Sequence, residues 1–313
     1  MLNRRQLRIK ALEVVYAYDK SFEKNIDFQI KYFLKSNQNF FKLYITLFSL
    51  LSELYLIANE IHKKNKNKYL SNESDISLEN ICKNLILKKI SEDSFLSEKV
   101  NNYKIDYWES HPELLSSIWK EIYSNDLTIK YLRKKNASYD DDQYFLVNIF
   151  RNIIASNKKL YDFIEDKEIS WLNDLPLVNS LILSLLKNTK KSSKKIVFMK
   201  DIYKNKDDAD FGIKLIKKVI ENKTTLEKNI SEITLNWDND RIAQIDLILL
   251  QMCLTEFLYF KSIPLKVSIN EYLEIAKEYS SKKSNVFING ILDKLSKKLS
   301  DEGLIKKNKR GLR

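Results

Sequence analysis

Glycine, proline, histidine and cysteine are all scarce: this chain of 313 residues holds four, three, two and two of them. Folds built on tight turns draw heavily on Gly and Pro. Glycines only at 212, 290, 303 and 311, with prolines only at 112, 176 and 264, argue against a β-sandwich, a dinucleotide-binding sheet or a TIM barrel. They point instead to long helices with few breaks. Glycines so far apart cannot form a G-x-G-x-x-G, a Walker A loop or a G-x-S-x-G elbow. His62, His111, Cys82 and Cys253 offer no close-spaced zinc ligands, so neither metal nor cofactor is expected. Both cysteines have apolar neighbours and read as buried small hydrophobes in a reducing compartment.

What is abundant is apolar and basic. Hydrophobic residues make up 44% of the chain and aromatics 12%, enough for a real core in one large or two modest domains. The formal net charge is +12, which suits nucleic acid or an anionic surface. Lysine is frequent throughout, so arginine is the more telling cation, and Arg4, Arg5 and Arg8 crowd the first eight residues. No secretory pattern follows them. The most apolar stretch, Leu43 to Ala58, is broken by Ser49, Ser52 and Glu53 and is short for a bilayer. The expectation is a soluble, cytoplasmic, all-α protein with no membrane association.

Leu7, Ala11, Val14 and Tyr18 recur at helical spacing, which predicts a helix over Arg4–Lys20 with the three arginines along one edge of its apolar stripe. Leu43, Leu47, Leu50, Leu54, Ile57 and Ile61 predict a buried helix ending in the polar run from Lys63 to Lys68. Residues 134–143 and 188–195 read as loops. An offset of 66 residues aligns Asp141-Asp142 with Asp207-Asp208, Phe145 with Phe211, Leu160 with Leu226 and Ile164 with Ile230. The same offset aligns Trp171-x-Asn173-Asp174 with Trp237-x-Asn239-Asp240, which reads as a duplicated helical unit.

After an apolar helix carrying Asp246 and Glu256, Pro264 restarts the chain at a new helix. Ser284 is placed to cap the last helix, and Gly290 inside that helix calls for a close backbone contact, since a helical glycine costs about 1 kcal/mol. The run Pro264-Leu265-Lys266-Val267-Ser268-Ile269-Asn270-Glu271, then Ala276-Lys277, then Ser284-x-x-Phe287-Ile288-Asn289-Gly290-Ile291-Leu292-Asp293, resembles the C-terminal signature of the NusB transcription antitermination factors. The start Arg4-Arg5-x-x-Arg8-x-x-Ala11-x-x-x-x-Tyr16 is similar to that family's arginine-rich first helix, and Leu254-x-Glu256-Phe257 to its central helix. The resemblance covers about residues 1–19 and 207–300.

The resemblance implies an all-helical fold of NusB-like bundles and a non-enzymatic role. That role is binding boxA-type RNA together with the ribosomal protein NusE, in an RNA polymerase antitermination complex acting on ribosomal RNA transcription. The expected organisation is a first helix (1–20), a helical insertion (21–195, with 141–190 a partial repeat), a NusB-like core (196–300) and a basic tail without fixed structure (301–313). Arg4, Arg5, Arg8, Lys283, Ser284 and Phe287 are the expected RNA contacts, with the arginines and the Lys283-Ser284 turn converging on one surface. Guanidinium groups bind phosphates bidentately and stack on unpaired bases. Tyr16 either stacks on a base or packs its helix. Asp246 and Glu256 match positions facing the protein partner, with an internal ion pair the other reading of Glu256. Asn270, Glu271, Asn289 and Gly290 read as structural. A protein-binding scaffold without RNA affinity and an RNA-modifying enzyme are the rival readings; the second lacks a cofactor loop or catalytic cysteine motif.

Overall fold

A computed structural model describes residues 1–66, 77–234 and 242–312. Among these, every regular element is a helix. The expected matches at Trp237, Asn239 and Asp240, and most of the polar stretch 71–77, lie outside the described residues. The chain divides into two units, one formed by Met1–Ser36 with Lys200–Arg313 and the other by Asn37–Met199.

The first unit joins α1 (Arg4–Lys20), the opening of α2 (Ile26–Lys66), α12 (Lys206–Glu221), α13 (Lys223–Ile233), α14 (Gln244–Tyr259), α15 (Leu265–Tyr279) and α16 (Ser284–Asp301). Helix α1 begins where the sequence places it, because Asn3 and Gln6 form a reciprocal capping box. Helix α14 is the axis of the unit: Ile248 through Phe257 are all buried, and α1, α12, α13, α15 and α16 pack around it. An all-round buried helix needs no polar face. Gly212 in α12 makes room for α2, since a Cβ there would stand 2.2 Å from the ring of the buried Phe33.

The end of the chain departs from expectation. Gly303, at φ 68, closes α16 in the left-handed conformation, with Leu304 N–H donating to Leu299 O at 3.0 Å. Residues beyond it then dock rather than trail. Lys307 Nζ donates to the carbonyls of Glu256 (2.9 Å) and Phe260 (3.0 Å) at the end of α14, and Asn308 N–H donates to Lys261 O at 3.0 Å. Carbonyls at a helix C-terminus carry the negative end of its dipole and suit a cation.

The second unit continues α2 from Asn37 and adds α3 (Glu79–Lys83), α4 (Leu85–Ser91), α5 (Ser94–Asn102), α6 (Tyr107–Ser110), α7 (Pro112–Ser124), α8 (Asp126–Leu132), α9 (Tyr139–Ile149), α10 (Lys158–Lys167) and α11 (Trp171–Asn188). Leu43, Leu47, Leu50 and Leu54 are buried, as their spacing requires. Helix α2 is long and apolar enough to cross a membrane, yet its apolar window is mostly buried within the protein, the position of a core helix. The loop expected over 134–143 is shorter than anticipated. Ser138 and Asp141 form a capping box that starts α9 at Tyr139.

Positions matched at the 66-residue offset lie in helices where both members are described. The run α9, α10, α11 corresponds to α12, α13, α14, and Phe145, Phe211, Leu160, Leu226, Ile164 and Ile230 are all buried. The copies differ after α9, where Phe150–Ile154 forms a π turn with Ala155 N–H donating to Phe150 O.

Candidate nucleic-acid interface

Arg4, Arg5 and Arg8 lie on the first two turns of α1 and line an open groove of about 810 Å³ in the first unit, with Lys204, Asp207, Asp208, Glu271 and Arg310. Each arginine is held by a carboxylate. Arg4 Nε donates to Asp208 Oδ1 at 2.8 Å, and its guanidinium lies 5.1 Å above the Phe211 ring. Arg5 bonds Glu271 bidentately, both distances 2.9 Å. That bond is the first cause holding the Arg5 guanidinium above its ordinary pKa. Two of its five N–H groups are thereby used, and 40% of the side chain stays exposed.

Arg8 is different. It is 2% exposed and bonds Glu256 bidentately at 2.7 and 2.9 Å. Glu256, fully buried, also accepts from Ser268 Oγ (2.6 Å) and Tyr272 OH (2.9 Å). Burial opposes the Arg8 charge, but the Glu256 carboxylate outweighs it and raises the pKa. Burial, then the nearby carboxylate, drives the Tyr272 hydroxyl and the Cys253 thiol well upward. Two expectations are thereby corrected: Arg8 is not presented to RNA, and Glu256 is not presented to a partner. They form the internal ion pair at the centre of the unit.

The second expected contact region does not line this groove. From Glu271 helix α15 runs on to Tyr279, about 12 Å further along at 1.5 Å per residue, and Ser280 follows it. There Ser280 Oγ donates to Asp246 Oδ1 at 2.5 Å and bonds Ser284 Oγ at 2.9 Å. Ser284 and Asp246 are 5% and 4% exposed, so they tie the loop to α14 instead of facing a ligand. Ser284 is also not the cap; the Ser281 hydroxyl accepts from the Ser284 N–H at 3.3 Å. Lys283 is exposed and Phe287 half-buried. Between the two regions α15 carries Glu274, paired with Lys277, and Glu278.

Tyr16 is exposed, with Lys20 Nζ 5.7 Å from its ring centre. Asn270 is exposed on α15 and Glu271 is the arginine anchor. The junction of α15 and α16 is held by Asn285 Nδ2 donating to Leu273 O at 2.9 Å, with Asn289 one turn further on and half-buried. Gly290 is exposed, and a Cβ there would meet nothing within 4 Å, so the expected close contact is absent. The anchors Asp208, Ser268 and Tyr272 were not legible in the sequence. Asp208 holds Arg4 across 204 residues, while Ser268 and Tyr272 hold Glu256, the partner of Arg8, and no local pattern marks them.

The defining pattern of the NusB family matches residues 179–297. That span runs from within α11 to the body of α16 and leaves α1 outside. The chain is similar to the transcription antitermination protein NusB of Chloroherpeton thalassium, 43% identical over 103 residues that make up 33% of this chain and 49% of that protein. It is also similar to the proteins of that name from Salinibacter ruber (40% identical; 33% of this chain, 64% of that protein) and Clostridium botulinum (38%; 34% and 71%). The chain thus spans about half of the first relative's length and somewhat under two thirds of the second's. No solved structure matches at the same stringency. With a helical core in the expected order and close to three quarters of the Clostridium protein covered, the chain belongs to the NusB family.

Proposed function

We propose that this protein is a non-enzymatic transcription antitermination factor that binds boxA-type single-stranded RNA together with the ribosomal protein NusE, within the RNA polymerase complex transcribing ribosomal RNA in the cytoplasm. The observation that carries the reading is the pair Arg4 and Arg5. Both reach the open groove with their guanidinium groups fixed by Asp208 and Glu271 and with N–H groups still available. A fixed guanidinium loses little freedom on meeting a phosphate, which favours binding. Lys204 and Arg310 add charge at the same groove. The relatives' shared name supports the antitermination role.

Binding of a boxA oligonucleotide at graded salt tests it. Affinity should fall steeply with salt, and Arg4→Ala with Arg5→Ala should reduce the log–log slope by about 0.7 for each phosphate that the variant no longer neutralises. An unchanged slope, or equal affinity for a scrambled oligonucleotide, would favour the protein-binding scaffold instead. Pull-down with NusE separates the partner from the RNA.

A further inference from the structure

Helix α2 opens with an exposed stripe that the arginine groove does not use. Asn25 Oδ1 accepts from the Phe28 N–H at 2.9 Å and starts the helix rigidly. Phe28, Lys31, Tyr32 and Lys35 then follow at i, i+3, i+4 and i+7, which places them on one face. All four are exposed, Phe28 at 62% and Tyr32 at 44%. The opposite face is buried in the same unit through Gln29, Phe33 and Ser36. Lys10 Nζ donates to Ser36 Oγ at 2.9 Å, which ties this segment to α1, where Tyr16 and Lys20 are exposed.

Phe28 holds a large ring out into water on a rigid helix, which is costly unless something covers it, and Tyr32 keeps part of its ring surface exposed one turn on. The stripe carries two cations against the single exposed carboxylate of Asp27 at its edge, so its occupant is anionic and offers flat apolar faces. Single-stranded RNA has both properties: phosphates for lysine and bases for aromatic rings. Rings four residues apart stand about 6 Å apart along the helix, a step an extended strand can follow. A membrane-surface helix would instead segregate its apolar and cationic faces, whereas here lysines and rings alternate on one face and the other face is core. We infer that the Phe28–Lys35 stripe is a second contact surface for single-stranded RNA, engaging nucleotides beyond those held at the arginine groove. This rests on the RNA-binding reading above and extends it into a segment outside the family match.

The test compares a boxA oligonucleotide with the same oligonucleotide extended at both ends by uridines. Phe28→Ala with Tyr32→Ala should leave affinity for the short form unchanged and lower affinity for the extended form by about fivefold or more, the loss expected from even one base–ring stack. Lys31→Gln with Lys35→Gln should reduce the salt slope for the extended form alone, by about 1.4. Unchanged thermal melting of these surface variants secures the comparison. Wild-type affinity of the Phe28/Tyr32 variant for extended RNA would overturn the stripe, and loss of short-RNA binding in the Arg4/Arg5 variant would show that the groove reading survives it. Failure of the wild-type protein to bind either RNA would overturn both. Binding to vesicles of phosphatidylglycerol and phosphatidylcholine that the Phe28/Tyr32 variant loses, with RNA binding unaffected, would reassign the stripe to lipid.

Discussion

Arg5 and Arg8 stand one turn apart on α1, and their surroundings give them opposite work. Arg8 neutralises a carboxylate that has no access to water, so Arg8→Ala strands the Glu256 charge among apolar groups and should cost about 3–5 kcal/mol. Arg5 is paired at the surface, and Arg5→Ala should cost about 1 kcal/mol or less. Denaturant midpoints of the two variants check this; equal midpoints would refute the buried pair. A loss of RNA affinity in Arg8→Ala would consequently report unfolding, which is why the binding test uses Arg4 and Arg5. The adjacent Asp141 and Asp142 show the same dependence on surroundings. A hydrogen bond from Lys134, then bonds from Ser138, holds the Asp141 carboxyl at about 2, below its ordinary 3.8. Burial raises Asp142, against bonds from Tyr131 and the Leu85 N–H. The signs differ accordingly. The Asp141 contribution is present above pH 3.8 and lost as pH falls toward 2, whereas acidification relieves the burial of the Asp142 charge. A carboxyl-carbon NMR titration should resolve one midpoint near 2 and one above 3.8; coincident midpoints would refute the assignment.

Helices α12 and α16 each carry a glycine that propensity alone would treat alike. Gly212 lies against Phe33, so Gly212→Ala drives a methyl into a fully buried ring and should destabilise by about 1–3 kcal/mol. Gly290 lies on the open side of α16, so Gly290→Ala should stabilise by about 0.5–1 kcal/mol. Thermal melts of the pair should shift in opposite directions, and a destabilised Gly290→Ala would mean that the glycine faces a close contact within the chain itself. Sequence alone points to Gly290 for the close contact because its cost is visible there, whereas Phe33 and Gly212 meet across 179 residues. The helices themselves are legible where apolar spacing agrees with a start signal, the Asn3 cap in α1 or Pro264 before α15. The start of α9 is not, because the acidic run Asp140–Asp142 looks like a loop, although Ser138 and Asp141 cap it. The docked end of the chain is hidden for another reason: Lys307 is held by backbone carbonyls, and no sequence pattern announces those.

Across the molecule, residues matched at the 66-residue offset are buried alike and differ in what they support. Phe145 stacks on Tyr131 at 4.2 Å, and Tyr131 in turn bonds Asp142 at 2.6 Å. Its counterpart Phe211 meets Phe260 edge-on at 5.3 Å and lies beneath the guanidinium groups of Arg4 and Arg8, while Asp208, the counterpart of Asp142, holds Arg4. The matched acid therefore anchors a tyrosine in one copy and a groove arginine in the other. The shared apolar positions are readable from the repeat because burial selects the same residue types in both copies. The divergence is not, because the partners of the two aspartates come from outside the repeated segment. This difference separates stability from function. Phe145→Leu and Phe211→Leu should each cost about 1–3 kcal/mol, and because the rings share no partner the double variant should show the sum within about 0.5 kcal/mol. RNA affinity should respond to one of them only. Phe211→Leu removes the ring face that supports Arg4 and should weaken binding at the groove, whereas Phe145→Leu should bind as the wild type does. Equal loss of affinity in both variants would show that the second copy also contacts the transcript, and that the groove around Arg4 is not where the copies part.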